Sequence, residues 1–198
     1  MSVIVKGGVL LVAVLIHETG HLVFGLITGY RFVSFKFLWF MLADTGTGKK
    51  LSSGGMAPPG QCLMYPAGST AVPLMMILGG PLANLVSGMI FIICGFAVTG
   101  IVYRIIALYF GAAGIAVGIY NLFWGSVYSD GYTYREIKRD KDLGRIYNNI
   151  MLIYRELIRG RSYEDMPDHL FKLKAKGQGP LYDEMREHIK RRENGCSR

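Results

Sequence analysis

Residues Val9 to Ile16 are apolar without a break, and Leu22 to Tyr30 carry no charge, yet between them stand His17, Glu18 and His21. A bilayer-spanning helix needs about 20 apolar residues, and Val3 to Thr28 supplies enough for one. At a rise of about 1.5 Å per residue, His17 lies roughly 21 Å along that helix from Val3. An ionised side chain at the centre of a span costs about 2.5–3.5 kcal/mol on insertion scales. Such groups therefore need partners, and the rest of the fold must bring those partners to membrane depth. His17 and His21 are four residues apart and share one helical face. That spacing lets two imidazoles bind one Zn²⁺, with Glu18 beside them as a general base. The competing reading is a chance match in a buried helix, and the insertion cost weighs against it.

The rest of the composition agrees with a membrane chain. Of the 198 residues, 51% are hydrophobic and 18% are charged, against about 25% charged in soluble domains. Residues 1–130 hold six Lys/Arg and three acids, and residues 131–198 hold sixteen basic and eleven acidic residues. The tail's net charge of +5 is mixed in sign and carries no nucleic-acid motif, so nucleic acid is not an expected partner. A basic region after a span instead marks the cytoplasmic side and meets anionic lipid. Cys62, Cys94 and Cys196 are odd in number and widely spaced, which suggests neither a disulfide framework nor a thiolate metal site. The N-terminus makes a poor cleavable signal peptide, since no small-x-small site follows the apolar run.

The expected fold is a mainly α membrane protein. Three spans are placed at about 3–28, 81–102 and 105–128. Pro81 is expected to open the second, and Arg104 to mark the connection to the third. Gly111, Gly114 and Gly118 would let the third span pack closely, within the chain or in a homo-oligomer. Residues 30–69, aromatic and then rich in turn residues, read as strands or an interfacial hairpin. The stretch Phe32–Phe40 is a candidate strand edge for an extended substrate, or a surface-lying aromatic belt. Residues 131–198 read as a helical tail. One helix carries Ile146, Ile150, Ile153, Tyr154 and Leu157 and stops at Gly160, a second opens at Pro167, and a third runs from Pro180 to about Gly195. With the N-terminus outside, twenty of the 22 basic residues fall inside, as the positive-inside rule requires.

Catalytic zinc usually takes three protein ligands. The remaining acids of the apolar half are Asp44, in the turn-rich loop, and Asp130, at the end of the third span. The first and third spans run in the same direction, so Asp130 can meet His21, and it is favoured as third ligand over a plain helix-closing role.

HETGH at 17–21, GGPLANL at 79–85 and NLFWGSVYSDG at 121–131 together resemble the site-2 protease family of intramembrane zinc metalloproteases. The likeness covers about 130 residues, as a compact form without PDZ or CBS regions. It implies one Zn²⁺ per chain held by His17, His21 and Asp130, with Glu18 as base. It also implies Asn84 and Asn121 near the site, supporting substrate or the transition state. For Asn84 a helix–helix hydrogen bond is the equal alternative. Trp124 stands where the family usually has proline and Ser129 where leucine is common, and the Asn121-to-Asp130 spacing is one residue long. The implied activity is cleavage of transmembrane or signal-peptide-like segments of membrane substrates, in a multi-pass protein of a bacterial plasma membrane. The alternatives are a non-catalytic metal-binding protein, a pseudoprotease holding a membrane partner, or a zinc-handling transporter.

Overall fold

The computed structural model describes residues 3–55, 58–68, 73–127, 129–173 and 177–195. The described chain is mostly helical with one small antiparallel sheet. It divides into two compact units, neither continuous in sequence: Met1–Phe24 with Met75–Tyr134, and Gly25–Leu74 with Arg135–Arg198.

The first unit is built on α1 (Val3–Ile27), α2 (Leu74–Ala97) and α3 (Ile101–Ile119), the last running on into a π turn at Tyr120–Trp124. Gly7–Ile27, Leu74–Ala97 and Ile101–Trp124 are each long and apolar enough to cross a membrane. On α1 the buried positions Val9, Ala13, His17 and His21 recur every four residues, while Leu10, Leu11, Leu15, Val23 and Leu26 are exposed. A single stripe therefore packs inward. The remaining apolar surface has the composition of a face turned to lipid. α1 and α2 approach closely at Gly20 and Gly79, where a Cβ on either would strike the other's backbone. Gly111, Gly114 and Gly118 of α3 are buried against α2 in the same way.

The second span starts earlier than its sequence suggests. α2 begins at Leu74, so Pro81 lies inside the helix rather than at its first turn. Proline there removes one backbone bond, which apolar helices packed on neighbours tolerate. The carbonyl that loses its helical partner is that of Ile77, and the Met76 carbonyl one residue before it lies 2.8 Å from His21 Nδ1. Arg104 is likewise not a connector. It lies in the first turn of α3, and its guanidinium reaches back to the Val98 carbonyl at 3.1 and 3.3 Å. The last residue of the expected third span, Tyr128, lies outside the described residues.

In the second unit α1 ends before Gly29, whose φ of 84° is the left-handed turn that glycine adopts at helix ends. Four strands follow, β1 (Tyr30–Phe37), β2 (Phe40–Asp44), β3 (Lys49–Ser53) and β4 (Gly60–Pro66), in the order β3-β2-β1-β4. β1 thus pairs on both sides, Phe35 with Leu42 of β2 and with Cys62 of β4. This overturns the expectation that Phe32–Phe40 offers a free edge; the edges are β3 and β4.

The tail supplies α4 (Asp130–Arg139), α5 (Lys141–Ile158) and α6 (Pro180–Glu193). α5 packs on the sheet. Leu143, Ile146, Ile150 and Ile153 are buried with Ala43, Leu63 and Met64, each full burial contributing about 1.5–3 kcal/mol. Tyr30 donates to Asn148 Oδ1 at 2.9 Å across that junction. The helix expected after Pro167 is only a 3₁₀ turn, Asp168–Phe171, which buries Leu170 and Phe171. Cys62 and Cys94 are not joined in a disulfide; Cys196 lies outside the described residues.

Candidate metal centre

The apolar stripe of α1 that buries Val9 and Ala13 continues into the two histidines, so the packing that seats the helix also orients their rings. The imidazoles meet edge to face, with centroids 4.8 Å apart and Nε2 atoms 3.2 Å apart. Asp130 joins them from the first turn of α4. Its Oδ2 lies 2.9 Å from His17 Nε2 and its Oδ1 3.4 Å from His21 Nε2. Donors at about 2.0–2.2 Å around one tetrahedral Zn²⁺ are separated by roughly 3.3 Å. The Nε2–Nε2 separation matches that value, and each carboxylate oxygen of Asp130 lies close to it from one of the two rings.

Each residue offers one ligand atom, and these lie within 4.8 Å of one another; among the described residues this is the group of three that can hold a metal ion. Asp44 is elsewhere, in the second unit, where Gly46 N–H and Arg159 hold its carboxyl below the usual range. Arg159 pairs with it at 3.0 Å.

The surroundings fix each ligand. The π turn carries Asn121, whose Oδ1 accepts the Asp130 backbone N–H at 3.1 Å and whose Nδ2 lies 3.2 Å from His17 Nε2. Ser129 precedes α4, and its Oγ accepts from Tyr132 N–H at 3.3 Å, a helix-capping contact. His21 Nδ1 lies 2.8 Å from the Met76 carbonyl. A carbonyl only accepts, so His21 carries a proton on Nδ1, and its Nε2 is the nitrogen that faces Asp130. Asn84 is fully buried, with Nδ2 3.3 Å from His17 Nδ1.

Gly80 faces the gap between the rings. A Cβ there would lie 2.5 Å from His21 Nε2 and 2.7 Å from His17 Nε2. The space a divalent ion needs is the space a side chain at position 80 would fill. Glu18 is half-buried beside His17 and within electrostatic reach of His21.

The structure therefore gathers His17, His21, Asp130, Asn84 and Asn121 into one cluster, with Glu18 adjacent. Sequence reasoning missed the gap at Gly80, the cap at Ser129 and the Met76 carbonyl. Gly80 had a signal in its place one position before Pro81 and four before Asn84. The Met76 carbonyl had none, because a backbone acceptor has no residue type. The chain matches no family model, no curated protein and no solved structure. What fold and site define is a class: a mostly helical chain with three membrane-length helices and a His₂Asp group, its two histidines buried, that could hold a metal ion.

Proposed function

We propose that this chain is an intramembrane zinc metalloprotease of the site-2 protease type. It would hydrolyse peptide bonds within or near transmembrane or signal-peptide-like segments of membrane substrates. The observation that carries the reading is the convergence of His17, His21 and Asp130 from α1 and α4 around the gap at Gly80.

Zn²⁺ bound there would act as a Lewis acid and lower the pKa of water from 15.7 to about 7. The chain's residues divide the remaining work. Glu18, next to a ligand and on the same helix, takes the proton from the attacking water and returns it to the leaving amine. Asn121 fixes Asp130 through its backbone N–H and presents its amide to the reacting side of His17, where it can donate to a developing oxyanion. The apolar walls of α1 and α2 keep bulk water away, which strengthens each of these interactions.

Glu18→Gln tests the assignment. The purified variant should retain one zinc per chain while cleavage of a transmembrane reporter peptide falls by at least about 10³-fold, as expected for loss of a general base with its proton route. Cleavage at the wild-type rate would remove Glu18 as the general base, and a zinc-loaded wild-type chain that cleaves no reporter would leave a metal-binding scaffold as the function.

A further inference from the structure

The structure assigns Asn84 a positioning role: its amide oxygen accepts a hydrogen bond from His17 Nδ1–H and so aims the His17 Nε2 lone pair at the metal. The inference rests on the metal reading above and concerns how that site is held.

His17 Nε2 faces Asp130 Oδ2 at 2.9 Å, His21 Nε2 at 3.2 Å and Asn121 Nδ2 at 3.2 Å. A ligating Nε2 must be unprotonated, so the proton of a neutral His17 sits on Nδ1. That N–H needs an acceptor. The group beside it is the Asn84 amide, whose Nδ2 lies 3.3 Å from Nδ1. In the same arrangement Asn84 Oδ1 is buried and meets no donor. Asn84 has no exposed surface, so water does not relieve either mismatch. The two amide atoms are distinguished only by their hydrogen bonds. Exchanging them gives Nδ1–H its acceptor and takes the oxygen out of the place where it met no donor. His17 then matches His21, whose Nδ1 already meets an obligate acceptor, the Met76 carbonyl, at 2.8 Å. Both imidazoles give Nδ1–H to α2 and turn Nε2 toward Asp130. Outer acceptors of this kind fix the tautomer and raise ligand basicity. Asn84 lies behind His17 with respect to Asp130 and acts through that ring.

The test compares the full chain in detergent as wild type, Asn84→Leu and Asn84→Asp, with zinc affinity read by chelator competition. Leucine keeps the volume and removes the acceptor, so zinc should bind about 10–100-fold more weakly. Aspartate can only accept, so it should keep zinc within about threefold of wild type or tighten it, and the Co²⁺-loaded variant should keep the wild-type visible spectrum. If the NH₂ instead donates to His17, or if Asn84 merely joins helices, aspartate buries an unpaired charge and should lose zinc as badly as leucine. That outcome overturns the inference, as does wild-type affinity in Asn84→Leu. Should Asn84→Leu fail to fold, the aspartate variant's affinity and spectrum decide alone. If the affinity order holds while no peptide is cleaved, the protease reading fails and the positioning role stands. A wild-type chain that binds no zinc overturns both.

Discussion

At the scale of single residues the sharpest constraint is Gly80. Alanine is the better helix former by about 1 kcal/mol, so Gly80→Ala should not weaken α2 through propensity. Its methyl would lie within 2.7 Å of both histidine Nε2 atoms, closer than packed atoms tolerate. The expected result is a folded protein with wild-type helical circular dichroism and less than about a tenth of the wild-type zinc, a loss of the size that disturbing the support of metal ligands brings. Full zinc occupancy at unchanged affinity would show that the ion does not use this gap. His17, Glu18 and His21 are legible in the sequence because their relation is local: four residues on a helix fix a face. Asp130 is legible only through topology, because it requires the first and third spans to run the same way. Asn84's contact with the far side of His17 is not, since which ring nitrogen an amide meets depends on the placement of α2 against α1.

Elements differ in how plainly the chain announces them. The three apolar helices are visible by length and hydropathy, but α2 starts at Leu74, well before the boundary that Pro81 suggests. Tertiary contacts to α1 carry the helix through the proline. The long Asn121-to-Asp130 spacing falls on the π turn Tyr120–Trp124, and a π turn is how a helix absorbs one added residue. Strands are expected from the sequence, but not that β1 is interior, because pairing order is a non-local property. In α6, the sequence places His188 on an apolar side and says no more. It is 4% exposed, with Nδ1 3.0 Å from the Tyr163 hydroxyl and the Tyr154 ring edge-on at 5.2 Å. Tyr154 itself donates to Glu184. Burial, and then the nearby Arg191, push the His188 pKa down from 6.5 to about 4, with Glu187 opposing. Its folded form is therefore neutral, and the unfolded chain takes up a proton that the fold refuses. The stabilisation is complete above pH 6.5 and is lost as pH falls from 6.5 toward 4, on the order of 2 kcal/mol after solvent screening. Hydrogen exchange over residues 180–193, corrected for intrinsic rates, should show protection falling between pH 7 and pH 5. In His188→Leu that decline should disappear, and a decline that persists would assign it to another group.

For the molecule as a whole, chain order and contact organisation bear on sidedness. The second unit joins two segments, 25–74 and 135–198, and its contacts, such as Tyr30 to Asn148 and Arg159 to Asp44, require both on the same side of a bilayer. Between the segments the chain passes through two membrane-length helices, α2 and α3, and an even number of crossings returns it to the starting side. The charge asymmetry is plain in the sequence, but the joining of the sheet to the tail is not, because nothing local marks a contact across more than 100 residues. The two facts agree independently: the segments that must share a side carry twenty of the 22 basic residues, and the positive-inside rule predicts that this shared side is the cytoplasmic one. With the native cysteines replaced, single cysteines at the exposed positions Thr47 and Glu193 should react with an impermeant maleimide only after the membrane is opened. One at Thr99, exposed between α2 and α3, should react in intact cells. Labelling of Thr47 and Glu193 from opposite sides would be incompatible with the second unit as folded, since no crossing count that separates them lets α5 pack on the sheet. Labelling of both from outside would keep the fold and reverse the orientation, against the charge rule.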